Sequence, residues 1–304
     1  MSSKPRILIV GAYGQVGREL QRSFADAGEI TVRDRDTVDL AEPDQVRVMV
    51  RDAAPEIILN AAAYTAVDRA EAEPEVAVAV NAQAPRILAE EALRMDALLV
   101  HYSTDYVFDG SKTNPWVETD KPNPLNVYGT SKLAGEEAIR EVGGKYLIFR
   151  TSWVYGPHGS NFLLTMLRLG HERESLKIVD DQVGGPTTSI ELADATRTIV
   201  SGVLAGQFGE VPNWSGLYHM TCGGTVSWCG FARAIFARAG ALLDGKVPVI
   251  SPILSSEYPT AAIRPQNSVL SNEKLGALFG VHLASWEAAL NEVVRMLTMP
   301  QQQV

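Results

Sequence analysis

The sequence has little cysteine and no long apolar run. Its 304 residues include 2 cysteines, Cys222 and Cys229, which stand apart from any cluster of cysteine and histidine. That spacing fits neither a disulfide framework nor a zinc site, so we expect two buried, reduced thiols. No stretch reaches about 18 consecutive apolar residues, and the apolar start of the chain is too short for a secretory signal. We therefore expect a cytoplasmic protein with no membrane partner.

Positive charge is also in short supply. Lysine and arginine number 27 against 36 aspartates and glutamates, which gives a formal net charge of -9. Nucleic acid would be repelled by such a chain, so we expect no nucleic-acid partner. A phosphate-bearing ligand would have to be held by local backbone amides and individual arginines. The length suffices for one large domain and a smaller lobe.

Short apolar runs alternate with amphipathic helical stretches. The apolar runs predict strands at Ile7–Val10, Ile30–Arg33, Ile57–Asn60, Leu98–Ser103 and Tyr146–Thr151. The remaining stretches predict helices from Val16 to about Ala27 and at Pro43–Ala53, Glu75–Met95, Ser131–Val142 and Glu191–Val203. This alternation is typical of the α/β class, here a Rossmann-type doubly wound parallel sheet. Ligands of such folds bind at the carboxyl ends of the strands.

Prolines and glycines break the regular pattern after Trp153. We expect residues 1–154 and about 181–215 to form the dinucleotide-binding domain. Residues of about 155–180 and 216–304 are expected to form a smaller, mainly C-terminal lobe that covers the strand ends and binds the substrate.

A glycine triplet follows the first strand and opens the first helix. Gly11, Gly14 and Gly17 have the G-x-x-G-x-x-G spacing, with Gln15 and Val16 at the start of the helix. The first two glycines permit a tight turn and close approach of a pyrophosphate, and the third lets the helix pack against the strand. Free amides at the helix N-terminus favour phosphate. The triplet therefore predicts a dinucleotide site.

The choice between NADPH and NADH stays open. Asp34 follows the second strand, about 20 residues after the glycines, where an acid holds the ribose hydroxyls of NAD. Arg33 and Arg35 flank it and can instead accept a 2′-phosphate. Further on, we expect the pair Asp39 and Leu40 to frame the adenine, and the backbone of Asn60–Ala63, which includes Ala62, to line the cofactor.

Tyr128 and Lys132 are four residues apart and so lie on one face of a helix. Thr104 follows the fourth predicted strand directly, at the sheet edge where the cofactor would lie. A phenol has a pKa of about 10, so it exchanges protons poorly at neutral pH unless a cation lowers that pKa. We expect Lys132 to supply this cation and to bind the nicotinamide ribose, and Thr104 to orient a substrate carbonyl. The three residues predict a reductase site.

These segments resemble the extended short-chain dehydrogenase/reductase superfamily, and within it the dTDP-4-dehydrorhamnose reductases. The similarity runs through nearly the whole chain, in Gly14–Gly17, Asn60–Asp68, His101–Phe108, Pro124–Gly129, Lys132–Glu136, Arg150–Gly156, Asp181–Gln182, Pro186–Thr187, Arg264–Pro265 and Asn267–Ser268. Tyr64 replaces a histidine of some members, which leaves only its backbone role unaffected.

The resemblance implies a role for each matching residue. Tyr128 would be the proton donor, Lys132 its electrostatic partner and Thr104 the third catalytic residue. Asp105 and Trp153 would contact the sugar, with Trp153 stacked on its apolar face. The cofactor would contact Gly14, Gln15, Val16, Asp34, Asp39, Leu40, Ala63, Tyr64, Thr65 and Tyr102. Because the chain is acidic, Arg264 in its proline-bounded loop is the basic group that we expect on the diphosphate.

The implied reaction is hydride transfer from NADPH or NADH to C4 of dTDP-4-dehydro-L-rhamnose. Two alternatives use the same fold. A nucleotide-sugar epimerase or dehydratase shares the glycines and the Tyr/Lys pair, although a dehydratase is expected to carry an Asp-Glu pair where Asp105 is followed by Tyr106. A non-catalytic regulatory subunit of methionine adenosyltransferase would have no need of the catalytic residues.

The resemblance leaves two questions open. Some members carry magnesium at a dimer contact, but Glu191 and Asp194 on one predicted helix do not make a complete ligand set, so no metal ligand is assigned. A homodimer is the one assembly that the resemblance suggests.

Overall fold

Six parallel strands form the central sheet of the computed structural model, which describes residues 4–299. The strands of the described chain are β1 (Arg6–Val10), β2 (Glu29–Arg33), β3 (Ile57–Asn60), β4 (Leu98–Thr104), β5 (Lys145–Thr151), β6 (Val154–Tyr155), β7 (Ser175–Val179), β8 (Val183–Gly184), β9 (Thr187–Thr188), β10 (Gly216–His219), β11 (Val226–Ser227), β12 (Val249–Ile253) and β13 (Asn267–Ser268). The sheet order is β10-β5-β4-β3-β1-β2, and each neighbouring pair is parallel. The carboxyl ends of all six strands therefore meet at one edge.

Helices cover both faces of this sheet. They are α1 (Gln15–Phe24), α2 (Pro43–Ala53), α3 (Val67–Ala70), α4 (Pro74–Val78), α5 (Ala84–Arg94), α6 (Val127–Val142), α7 (Phe162–Glu172), α8 (Ser189–Leu204), α9 (Val211–Trp214), α10 (Trp228–Arg238), α11 (Glu273–Phe279) and α12 (Trp286–Thr298). A π-helical turn, Ala79–Gln83, joins α4 to α5, so the helix predicted at Glu75–Met95 is not regular throughout. No helix in the described range is long and apolar enough to cross a membrane.

The alternation of side chains along β1 explains the two-sided core. Ile7 and Ile9 pack into an apolar cluster with α1 and α8, whereas Leu8 and Val10 pack into a second cluster with α2 and α5. A strand buried on both faces needs apolar residues at successive positions, which is why the sheet strands appear as continuous apolar runs. The predicted doubly wound α/β fold is confirmed.

A third apolar cluster lies outside the sheet. It brings together Leu163 of α7, Phe231 and Ile235 of α10, and Leu290 and Val293 of α12. Beside it, β7 pairs with β12, and β8 pairs with β11 and β13. Both cysteines, Cys222 and Cys229, are buried and unpaired, as predicted.

The structure differs from the predicted boundaries at two places. Gly216–His219 was expected in the lobe, but it forms the sixth strand of the central sheet and pairs in parallel with β5. Conversely, Val183–Gly184 was expected in the dinucleotide domain and pairs with β11 and β13 instead. These strands are short, so their apolar pattern carries little information about the sheet they join. Residues 1–3 and 300–304 of the predicted units lie outside the described chain.

Candidate active site

The glycine loop after β1 is a tight turn against β3. Gly11 has φ +77°, and a Cβ placed there would lie 2.6 Å from the Ala62 nitrogen. A Cβ on Gly17 would lie 2.0 Å from the Gly11 carbonyl oxygen. Both positions therefore exclude any other side chain. Gly14 is the N-cap of α1 and provides no side-chain cap, so the first amides of the helix are available to an anion, and the cradle fits a dinucleotide pyrophosphate.

Asp34 lies beside this loop. Its Oδ2 accepts a hydrogen bond from the Tyr13 amide at 2.8 Å, and its Oδ1 accepts one from the Arg35 amide at 2.6 Å. The carboxylate predicted to bind ribose is thus held at the glycine loop. Asp39 turns the chain by accepting from the Ala41 amide at 2.9 Å, and the neighbouring Leu40 packs at the edge of the second apolar cluster.

The segment after β3 is held by its backbone. The Tyr64 amide donates to Asn81 Oδ1 at 2.8 Å, and the Tyr64 hydroxyl donates to Glu73 at 2.6 Å. Ala62 contacts the glycine loop, while Thr65 is exposed. The Tyr64 side chain is therefore engaged outside the predicted cofactor path. The backbone of Ala61 and Ala62 lies next to Gly11 of the loop.

Gln15 connects the glycine loop to the segment after β6. Its Oε1 accepts from Asn161 Nδ2 at 2.9 Å, and its Nε2 donates to the Ser160 carbonyl. Asn161 is buried and also caps α7 by accepting from the Leu164 amide at 3.0 Å. Asn161 could not be identified from the sequence alone, because its partner Gln15 is 146 residues away.

The predicted catalytic residues converge at the carboxyl end of β4. Asn126 caps α6 by accepting from the Gly129 amide at 2.8 Å, so the helix starts at Val127 rather than at the predicted Ser131. Tyr128 thereby enters the first turn, and its phenol lies beside the Thr104 side chain at the end of β4. Burial raises the pKa of Tyr128 to about 12, and the neighbouring Thr104 hydroxyl opposes this rise.

Lys132 is buried beneath Tyr128, with 1% of its surface exposed. Its Nζ donates to the Tyr102 carbonyl at 2.7 Å and lies 3.1 Å from His101 Nε2. Burial lowers its pKa to about 8, against the opposing charge of Glu136. The Lys132 amine is turned toward His101 in this arrangement, and burial dominates the pKa of Tyr128, so the lowering of that pKa by Lys132 stays a prediction.

Tyr102 reaches the site through its backbone. Its hydroxyl lies 2.7 Å from Thr196 Oγ1 inside the core, on the α8 side of the sheet. Since the ring is committed there, only the carbonyl of Tyr102 faces Lys132. Any contact of Tyr102 with a cofactor would therefore come from its backbone.

A buried ion pair that the sequence did not reveal fixes α6 to the sheet. Arg150 of β5 donates to both carboxylate oxygens of Glu136, with Nε–Oε1 at 2.8 Å and Nη2–Oε2 at 2.6 Å. Ser103 adds a third hydrogen bond to Glu136. Both charged side chains are almost fully buried. The available signal was that Glu136 lies one turn after Lys132, and that Arg150 interrupts an apolar strand.

Asp105 follows Thr104 and is buried. Its Oδ1 accepts from the Thr104 hydroxyl at 3.0 Å, while Oδ2 has no hydrogen-bond partner within residues 4–299. Burial raises its pKa to about 6, and the neighbouring hydroxyls of Ser268 and Thr104 oppose this rise. A carboxyl group with a free oxygen beside Thr104 can contact a polar ligand.

Trp153 has the left-handed backbone conformation that non-glycine residues rarely adopt, with φ +48°. Its indole stacks on Trp228 with ring centroids 3.4 Å apart and planes 6° apart. One face of the indole is therefore covered by protein. Gly184 also lies against the indole, since a Cβ placed on it would be 2.5 Å from Trp153 Cε2. Only what Trp228 and Gly184 leave of the ring is available for the predicted contact with a sugar.

Arg264 is paired rather than free. Its Nη2 donates to Asp68 Oδ2 at 2.6 Å, and its Nη1 donates to Asp68 Oδ1 and to the Ala262 carbonyl. Asp68 therefore neutralises the guanidinium that we expected to bind a diphosphate. Arg264 thereby links the loop that contains Ala262 to α3. Asp68 of α3 also accepts a hydrogen bond from the Ala262 amide.

The two acids considered for magnesium have other partners. Glu191 Oε2 accepts from the Ala284 amide at 2.9 Å, and Asp194 pairs with Arg22 at 2.7 Å. Within the part of the chain that the structure describes, no group of three or more histidine, cysteine, aspartate or glutamate side chains could hold a metal ion.

Comparison with known proteins identifies the family. The family described as RmlD substrate binding domain matches residues 5–299. The chain belongs to this family. It is 49% identical over 300 residues to the dTDP-4-dehydrorhamnose reductase of Burkholderia thailandensis, covering 96% of this chain and 99% of that protein. It is 43% identical to the Escherichia coli K12 enzyme of the same name, covering 96% and 97% of the two chains.

A solved structure of the family superposes along the whole fold. The dTDP-4-dehydrorhamnose reductase of Bacillus anthracis in complex with NADP matches with a TM-score of 0.86 at 36% sequence identity. The match covers 96% of this chain and 99% of that chain. The resemblance predicted from the sequence motifs is thus confirmed.

The Glu136–Arg150 pair leads to a stability prediction. Changing Arg150→Met leaves the Glu136 carboxylate buried without its cation, so we expect the free energy of unfolding to fall by about 3–5 kcal/mol in urea titrations at neutral pH. The double variant Glu136→Met/Arg150→Met should recover most of this loss.

The control is Arg168→Met, which removes an exposed pair with Glu172 on α7 and should cost about 0.5 kcal/mol or less. The pair does not hold α6 to the sheet if Arg150→Met is no more destabilising than this control.

Proposed function

We propose that the chain is a dTDP-4-dehydrorhamnose reductase, which reduces the C4 keto group of dTDP-4-dehydro-L-rhamnose to give dTDP-L-rhamnose. The observation that carries the proposal is the placement of Tyr128 beside Thr104 at the carboxyl edge of the sheet, the same edge that carries the glycine cradle. A phenol and a hydroxyl placed together can both contact one carbonyl oxygen of a substrate. The high identity to reductases over the whole chain supports this reaction.

The residues of the cradle fit a nicotinamide dinucleotide. The amides at the start of α1, with Gln15 and Val16, would hold the pyrophosphate, and Asp34 would contact the adenine ribose. Asp39 and Leu40 would lie at the adenine, and the backbone of Ala62–Thr65 would line the rest of the cofactor. The reduced nicotinamide supplies the hydride that C4 receives.

The protein's own residues manage the proton. Thr104 would turn its single hydroxyl hydrogen from Asp105 to the carbonyl oxygen and orient it, while the Tyr128 hydroxyl would transfer its proton to that oxygen as C4 gains the hydride. The C4 carbonyl becomes a secondary alcohol, and Tyr128 is left as a phenolate. The positive charge of Lys132 would stabilise this phenolate until water returns the proton.

Residues around the sheet edge would bind the sugar nucleotide. Asp105 offers a free carboxyl oxygen next to Thr104, and Trp153 offers the indole face or edge that Trp228 leaves uncovered. Arg264 would reach a diphosphate only if its pair with Asp68 opened. The division of the chain into a dinucleotide domain and a sugar-nucleotide lobe belongs to the same proposal.

The alternatives have less support. Asp105 is followed by Tyr106 where a dehydratase is expected to carry Glu, and the relatives at 49% and 43% identity are named reductases rather than epimerases. A non-catalytic regulatory subunit has no need for Tyr128, Lys132 and Thr104 to converge. We also propose that the chain forms a homodimer, and the molar mass from light scattering of the purified protein tests this.

Replacing the proton donor tests the reaction. In Tyr128→Phe we expect kcat with dTDP-4-dehydro-L-rhamnose to fall about 10²–10⁴-fold, because general acid catalysis contributes that much, while cofactor affinity stays close to wild type. Tyr146→Phe is the matched control. Tyr146 lies near the amino end of β5, away from the carboxyl edge that carries the site, so its change should leave kcat unchanged. A loss of less than about tenfold in Tyr128→Phe would contradict the role of this residue.

Replacing Asp34 tests the cofactor preference. Asp34→Ala removes the negative charge that opposes a 2′-phosphate and leaves Arg33 and Arg35 in place. We expect the ratio of kcat/KM for NADPH to that for NADH to rise about tenfold, equivalent to about 1.4 kcal/mol. Asp36→Ala, an exposed acid two residues away, is the control. If the two variants have equal ratios, Asp34 does not select the cofactor.

A further inference from the structure

Three buried polar side chains form a connected chain beneath Tyr128. Asn60 ends β3, His101 lies opposite it in register on β4, and Lys132 comes from α6. Asn60 Nδ2 is 2.9 Å from His101 Nδ1, and His101 Nε2 is 3.1 Å from Lys132 Nζ. The exposed fractions are 2%, 0% and 1% in that order. Water therefore does not substitute for any of these contacts, and each hydrogen must be accounted for within the chain.

The contacts restrict where the hydrogens lie. Asn60 Oδ1 accepts from the Ala62 amide at 3.2 Å, so the Asn60 NH₂ group faces the ring. A ring nitrogen that faces an NH₂ donor has to accept, which puts the single hydrogen of a neutral imidazole on Nε2. That hydrogen points at Lys132. An ammonium has no lone pair, whereas an uncharged amine accepts from Nε2–H and still donates to the Tyr102 carbonyl.

A second arrangement of the same chain suits a charged lysine. If the Asn60 amide turns over, its oxygen accepts from Nδ1–H of His101. Nε2 then accepts a hydrogen bond from the Lys132 ammonium. The two arrangements differ in one amide orientation, one imidazole tautomer and one proton on Lys132. They also differ at the Ala62 amide, which loses Asn60 Oδ1 as its acceptor in the second arrangement. This amide lies against Gly11 of the glycine loop.

We propose that His101 is a positioning residue for the reduction. Asn60 orients the His101 ring, which holds the Lys132 amine in place. The ring changes tautomer as that amine gains or loses its charge. The inference rests on the proposed function, in which the positive charge of Lys132 stabilises the Tyr128 phenolate. His101 itself touches neither substrate nor cofactor in this account. It acts only through Lys132.

The surroundings leave Lys132 as the group that titrates. Burial holds the pKa of His101 well below its ordinary value, with the charge of Lys132 adding to the effect, so the ring stays neutral. On α6, Glu136 raises the pKa of Lys132, but Arg150 of β5 pairs with that carboxylate. Tyr102 on β4 contributes a neutral carbonyl. As the pH falls through the Lys132 pKa of about 8, the amine gains its charge and the tautomer should switch.

The direct test is nitrogen NMR of the whole protein with ¹⁵N-labelled histidine, assigned with His101→Gln. We expect His101 to carry its hydrogen on Nε2 at about pH 9.5 and on Nδ1 at about pH 6, with the midpoint near the Lys132 pKa. In Lys132→Met the switch should disappear. A single tautomer across this range in the wild-type protein would overturn the proposal.

His219 is the internal control. It is equally buried, and its Nδ1 lies 3.1 Å from the Trp116 carbonyl, which can only accept, so its hydrogen should stay on Nδ1 throughout. Burial lowers its pKa to about 3, below the range measured. A change in His219 that parallels that of His101 would indicate general unfolding rather than the proposed switch, and would count against it.

An activity measurement separates this inference from the proposed function. Asn60→Asp should hold Nδ1–H and favour the charged lysine, so the alkaline limb of kcat/KM should move up by about one pH unit, a tenfold change in the lysine equilibrium. In Asn60→Asp/His101→Leu the shift should vanish, since the ring no longer connects residue 60 to Lys132. A shift that survives would overturn the role of His101. Absence of any reductase activity alongside an intact NMR switch would instead refute the proposed function.

Discussion

The buried pair of Glu136 and Arg150 is the interaction on which the site depends. A carboxylate of this burial is tolerated only because a guanidinium binds both of its oxygens and Ser103 adds a further donor. The pair joins α6 to β5, and Ser103 joins it to β4. Because Tyr128 and Lys132 lie on α6 and Thr104 ends β4, the same contacts fix the distance between the phenol, the amine and the hydroxyl. The pair contributes positional definition more than net stability.

Burial acts on the neighbouring groups in opposite directions. It raises the pKa of Tyr128 to about 12 and of Asp105 to about 6, and it lowers the pKa of Lys132 to about 8. In each case the uncharged form is favoured. A phenol that keeps its proton at neutral pH is suited to donate it only when charge develops on a nearby oxygen. Lys132 is charged below its pKa, so it can support the resulting phenolate at neutral pH.

The fold was predictable because its strands are buried on both faces and so appear as apolar runs. The convergence of Thr104, Tyr128 and Lys132 was predictable because carboxyl ends of parallel strands meet at one edge. Side-chain partners far apart in sequence were not. The direction of the Lys132 amine, the pairing of Arg264 with Asp68 and the stack of Trp153 on Trp228 depend on rotamers and on loops from the second half of the chain. Strands of two to four residues, such as Gly216–His219, are likewise too short for their pattern to show which sheet they join.

In a reductase, C4 of the sugar keeps the hydride that it receives, which distinguishes a reductase from an epimerase of the same fold. This can be measured by supplying dTDP-4-dehydro-L-rhamnose together with NADPH or NADH that carries deuterium at the transferred position, and locating the deuterium by NMR. We expect dTDP-L-rhamnose with one deuterium at C4 and an equal amount of oxidised cofactor. Deuterium that stays on the cofactor, or a sugar product without deuterium, would show that the chain is not this reductase.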